Sequence, residues 1–123
     1  MKTIILTLFC LFMNLSTAIA SDKQLSAEEQ EELRSNTKLQ LLNEKGAYVW
    51  IYYDANGTMK GKHEDGFSDE GKWHMKGALF CRKWDKWANR ELMCYTTFDL
   101  GDGWYKSVRE SDGKIFKYEI VGD

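Results

Sequence analysis

The chain is predicted to be mainly β: a small antiparallel meander that curls into a curved sheet, a half-barrel or a lipocalin-like barrel, with one short helix ahead of it. Three observations lead there. Short apolar or alternating runs recur at regular spacing, with glycine-bearing turns between them, the pattern of strands joined by tight connections. The sequence contains no proline, so nothing in it removes a donor from a sheet ladder. Aromatic residues make up 14% of the chain, and their densest run, "AYVWIYY", has the β-branched and ring-rich character of a strand.

The N-terminal twenty residues, "MKTIILTLFCLFMNLSTAIA", have the parts of a secretory signal: Lys2, an apolar stretch from Ile4 to Met13, and a small-x-small end at Ala18–Ala20. That stretch is well short of the ~20 residues that span a bilayer. Cys10 lies inside it after Phe9, a poor fit to a lipidation site. Residues 1–20 are therefore assigned as signal peptide, 21–36 as an N-terminal segment with a short helix, and 37–123 as a single β domain. The expected location is periplasmic or secreted, with no membrane span in the mature form.

Without Lys2 the mature chain carries 16 basic and 19 acidic side chains. A mildly acidic surface gives no electrostatic reason to expect a nucleic acid or an anionic membrane as partner.

In "SDKQLSAEEQEELRSNT", Ser26 and Glu29 have the spacing of a capping box, and acidic residues crowd the first turns, where the helix dipole favours them. A helix over Ala27 to Arg34 follows. Its apolar content is thin, so it is expected to lie on the domain rather than build it. Beyond Asn36 the pattern becomes extended. "KLQLL" is a strand, "NEKG" a turn, and Tyr48, Trp50 and Tyr52 alternate with Val49, Ile51 and Tyr53, leaving both faces of that strand apolar. Such a strand is covered on both sides or lines an enclosed space. "DANG" is a hairpin turn. Further strands are expected at Thr58–Gly61, Gly71–Lys76, Ala78–Trp84, Glu91–Phe98, Trp104–Arg109 and Lys114–Val121. They are joined by "EDGFSDE", "KG", "DKWAN", "GDG" and "SDG".

The segment "CRKWDKWANRELMC" holds the two cysteines of the mature chain, Cys81 and Cys94. If Ala78–Trp84 and Glu91–Phe98 form a hairpin, paired residue numbers sum to 175, which sets Cys81 directly opposite Cys94. Facing strand residues are close enough for a disulfide, and export favours one. The spacing fits neither a zinc site nor a C-x-x-C redox pair. Arg82, Lys83, Lys86 and Arg90 are read as solvated hairpin charges. Trp84 and Trp87 either pack back on the sheet or serve as anchors for a partner.

"KHEDGFSDEGKWH" is the one dense cluster of potential metal ligands, with His63, Glu64, Asp65, Asp69, Glu70 and His74. It lacks the spacing of a calcium loop, and a zinc site would need two histidines to converge from a loop and a strand. The simpler reading is an exposed acidic turn beside a half-buried histidine. No hydrolase motif occurs. No catalytic, metal or cofactor residue is therefore assigned.

The exported N-terminus, "LRSNT", "DANGTMKG", "DEGKWHMKGALFCRKW", "MCYTTFDLGDGWYK" and "SDGKIFKYEIVGD", in that order, resemble a family of small exported bacterial proteins, domain of unknown function 995. The corresponding features are Gly71 with Trp73, Cys81 with Arg82 and Trp84, and Cys94 with Tyr95. The resemblance implies export, a cysteine pair and a β-meander, and it brings no activity with it.

The expected function is non-catalytic binding of a small apolar ligand, with Tyr48, Trp50, Tyr52, Trp84 and Trp87 as candidate binding residues. Two alternatives stand beside it. One is an envelope interaction or inhibitor module without a pocket, anchored by Trp84 and Trp87. The other is a metal-dependent enzyme built on the His63–His74 region.

Overall fold

The computed structural model describes residues 22–122; the signal peptide assigned above lies outside them. After a two-residue strand β1 (Lys23–Gln24) and helix α1 (Ala27–Leu33), the chain runs through eight strands. These are β2 (Thr37–Leu42), β3 (Tyr48–Tyr53), β4 (Thr58–His63), β5 (Ser68–Lys76), β6 (Leu79–Trp84), β7 (Met93–Gly101), β8 (Trp104–Arg109) and β9 (Ile115–Val121). Each pairs antiparallel with the next, and β9 returns to pair with β2. The sheet therefore closes into an eight-stranded barrel, which leaves no long free edge. β1 continues one edge of β7 past the short β6 pairing, setting Lys23 opposite Asp99.

The predicted capping box forms. The Ser26 hydroxyl accepts from the Glu29 amide, and the Glu29 carboxylate accepts from the Ser26 amide. The helix does more than lie on the domain, however. Gln30 and Arg34, one turn apart on one face, are both buried. They close one end of the barrel with polar atoms, a role that the helix's thin apolar content does not signal.

Strand alternation sets the core. Leu39, Leu41, Val49, Ile51, Tyr53, Met59, Trp73, Phe80, Trp84, Tyr95 and Tyr118 form one buried cluster inside the barrel. Two glycines allow close approaches, Gly61 to rings and Gly71 to a neighbouring strand's backbone. A Cβ on Gly61 would stand 2.5 Å from the Trp87 ring and 2.7 Å from the Trp84 ring. One on Gly71 would stand 2.4 Å from the Lys83 carbonyl oxygen.

The register between β6 and β7 is as the sequence predicts: Phe80 opposite Tyr95, Cys81 opposite Cys94, Arg82 opposite Met93. Cys81 and Cys94 form a disulfide with Cα atoms 4.0 Å apart. By the chain-entropy account, closing a loop of this size adds about 3 kcal/mol.

Several local readings differ from the structure: β4 runs on to His63, and β7 spans Met93–Gly101 rather than Glu91–Phe98. β5 begins at Ser68 rather than Gly71, because the acidic pair Asp69–Glu70 is already in the ladder, opposite Gly61 and Lys60. Arg82 is not a solvated hairpin charge. It shares an alternation phase with Phe80 and Trp84, so its side chain enters the barrel and donates to the Tyr53 hydroxyl at 2.8 Å.

Candidate functional site

β3 decides where the candidate residues go. Val49, Ile51 and Tyr53 point inward to face the buried Leu39 and Leu41 of β2 and Met59 of β4. Tyr48, Trp50 and Tyr52 therefore stand on the outside, next to Gln40 and Lys38 of β2 and Lys62 and Lys60 of β4. The Trp50 indole N–H donates to Gln40 Oε1 at 2.7 Å, and the Tyr48 and Trp50 rings stack with centroids 6.3 Å apart.

A groove of about 490 Å³ runs over this face between Trp50, Tyr52, Lys38, Lys60 and Lys62, with no acidic residue along it. Across the Tyr48–Trp50 stack lies a second, wider groove of about 700 Å³ lined by Tyr48, Leu42, Trp104, Ile115, Lys117 and Glu119. Leu42 is 53% exposed, Tyr48 46%, Trp104 43% and Ile115 54%. Scattered surface apolar residues need no explanation, but these adjoin across neighbouring strands, which marks a surface suited to contact.

Trp84 and Trp87 belong elsewhere. Trp84 is buried and Trp87 half-buried, their rings 4.9 Å apart over Gly61 at the barrel end opposite α1. Asp69 fastens the loop that carries Trp87. Its Oδ2 accepts from the amides of Lys86 at 2.9 Å and Trp87 at 2.8 Å. Burial raises the Asp69 pKa, but the donated hydrogen bonds from Trp87, Lys86 and Glu70 outweigh it and hold the carboxyl below its ordinary value. An acid read from sequence as part of an exposed turn is thus an interior anchor.

The two histidines do not converge. His63 sits at the β4–β5 turn, where its Nδ1 accepts from the Asp65 amide at 3.1 Å. His74 stands on the outer face opposite Cys81. Among the described residues, no three His, Cys, Asp or Glu side chains gather as a metal site would require.

Inside the barrel the packing is close. The interior cavity leaves about 10 Å³ for the centre of a water molecule, roughly the space of one water. What surrounds it is unusual. Arg34, 2% exposed, enters from the end of α1 and lies over Phe80, its guanidinium carbon 3.9 Å from the ring centroid. Its Nη2 donates to the Tyr118 hydroxyl at 2.9 Å and to Thr97 Oγ1 at 3.3 Å. Thr97, Ser107 and Tyr118 are linked in turn by their hydroxyls, and Thr97 donates to Gln30 Oε1.

Arg82 lines the same cavity. Burial works against its charge, yet Tyr53 and Tyr95 more than offset this and hold its pKa above the ordinary value. Stacking on rings is worth up to about 2 kcal/mol for a desolvated cation, whereas burying an ion without a counter-charge costs several. No carboxylate lines this cavity. Neither the arginines nor the hydroxyl chain was picked out from the sequence. The signal present was phase: Arg82 between Phe80 and Trp84, and Arg34 one turn beyond Gln30.

No family model, no curated protein and no solved structure matches this chain. The residues and their geometry therefore carry the functional reading alone.

Proposed function

We propose that the chain is an exported, non-catalytic binding protein that engages a protein partner through the outer face of β2, β3, β4, β8 and β9. One observation carries the reading: exposed Tyr52, Tyr48, Leu42, Ile115 and Trp104, with half-buried Trp50 among them, on the wall of a barrel whose interior is almost full. Rings and apolar side chains on a broad surface are the composition of a protein interface core. Lys38, Lys60, Lys62 and Lys117 around them favour a partner segment that is apolar at its centre and acidic at its rim. The Cys81–Cys94 bond fits residence in an oxidising compartment.

A second reading, a small apolar ligand, rests on the groove at Trp50 and Tyr52, whose size is in the range of ligand sites. One pair of measurements separates the two. With the purified protein as bait in envelope extract, a partner should be recovered at one-to-one stoichiometry, and Tyr48→Ala with Trp50→Ala should lower recovery at least tenfold. Equal recovery by wild type and variant sinks the interface. Saturable quenching of Trp50 fluorescence by an acyl-chain or aromatic panel, without any partner, would favour the small ligand instead.

A further inference from the structure

We infer that the barrel interior holds one small monovalent anion, of chloride size, between Arg34 and Arg82. The site is separate from the outer face. Both guanidinium groups line the same small cavity, and each brings a positive charge. The remaining lining supplies the hydroxyls of Tyr53, Tyr95, Tyr118 and Ser107 and the apolar bodies of Leu39 and Phe80, but no carboxylate.

The donors are also in excess. Arg34 spends Nη2 on Tyr118 and Thr97, while its buried Nε finds no protein acceptor. Arg109, whose guanidinium lies over Phe116 and Tyr95 of the same cavity wall, has a buried Nε in the same condition. Hydroxyl oxygens already engaged with one another offer little further acceptor capacity, since Tyr118, Ser107 and Thr97 form a closed chain ending on Gln30. Buried cations are ordinarily met by a carboxylate or another anion. Here the chain provides the positive charge, the donors and a space of one water, and the missing partner has a single negative charge.

The size sets the class. An acid with an alkyl tail does not fit, and neither does a phosphate, whereas a halide does. Because the site lies among barrel-interior side chains, exchange should be slow compared with that of a surface ion.

The test uses the full mature protein at fixed ionic strength, with chloride replaced stepwise by gluconate, which is too large to enter. The thermal midpoint should rise with chloride along a saturating curve, and crystals grown in bromide should show an anomalous peak between the Arg34 and Arg82 guanidinium groups. Arg34→Met and Arg82→Met should flatten the chloride curve. If either variant fails to fold, the bromide peak in the wild type still decides. Equal midpoints in chloride and gluconate, or bromide found on the surface only, overturns the assignment.

Discussion

The two ends of the barrel are closed by opposite means. At the α1 end the stopper is polar: Gln30 reaches the Ala78 carbonyl, and Arg34 ties Thr97 and Tyr118 while lying on Phe80. At the far end the stopper is two indoles laid on a bare glycine, with one carboxylate fastening their loop. The first depends on direction, because each hydrogen bond needs its acceptor in place. The second depends on volume, because rings against Gly61 tolerate no added atom. A small domain with little core to spare thus uses hydrogen bonding where a helix supplies it and shape where only a loop is at hand.

The largest difference should come from the polar end. Arg34→Ala removes a buried stem, a stacked cation and two donated hydrogen bonds, and leaves a hole under α1. We expect a loss of about 3 kcal/mol, in the range of large-to-small core changes, read by denaturant unfolding. Helix α1 should loosen with it, so amide exchange of residues 27–34 should quicken while that of the 85–91 loop stays as in the wild type. Loosening of both ends together would mean that they form one cooperative unit.

The converse experiment adds one methyl group at the apolar end. Gly61→Ala places a carbon well inside contact distance of Trp84 and Trp87. Overpacking of this kind costs about 2 kcal/mol. The rings must move, so tryptophan emission should shift to the red and the near-ultraviolet dichroism should fall. Arg34→Ala should leave both signals near the wild type. An unshifted spectrum in the Gly61 variant would mean that the wall, not the indoles, gives way.

The barrel wall was far easier to read from sequence than either stopper. Turn glycines and period-two runs mark the strands, and the sum rule of one hairpin sets Cys81 against Cys94. β3 defeated the same method, because apolar residues on both faces erase the phase that says which side is inside. Its neighbours hold the answer: Lys38, Gln40, Lys60 and Lys62 line up with Tyr52 and Trp50, and Leu39 and Leu41 with Ile51 and Val49. Composition then misleads at Arg34, Arg82 and Asp69, since charged residues are rarely turned inward, and the hydrogen bonds that each of these makes go to partners distant in sequence. Long-range hydrogen bonds such as Arg34 to Tyr118, 84 positions apart, leave no local pattern.

Asp69 gives the smallest and most selective contrast between the two ends. Its carboxyl pKa is lowered in the folded chain, so the unfolded state binds the proton more readily. Its stabilising contribution is therefore full above the unfolded value of about 4 and is lost as pH falls through the lower folded value. Asp69→Asn keeps one oxygen for the Lys86 and Trp87 amides but loses the charge that strengthens both bonds, an effect of about 1 kcal/mol at neutral pH. Unfolding free energy measured from pH 7 to pH 2 should then fall less steeply below pH 4 in the variant than in the wild type. No carboxylate lines the Arg34 cavity, and the lowered carboxyl at that end, Glu29, sits exposed on the cap of α1, so Arg34→Ala should change that slope less than Asp69→Asn does. A slope that flattens equally in both variants would place the acid-sensitive contact somewhere other than the tryptophan loop.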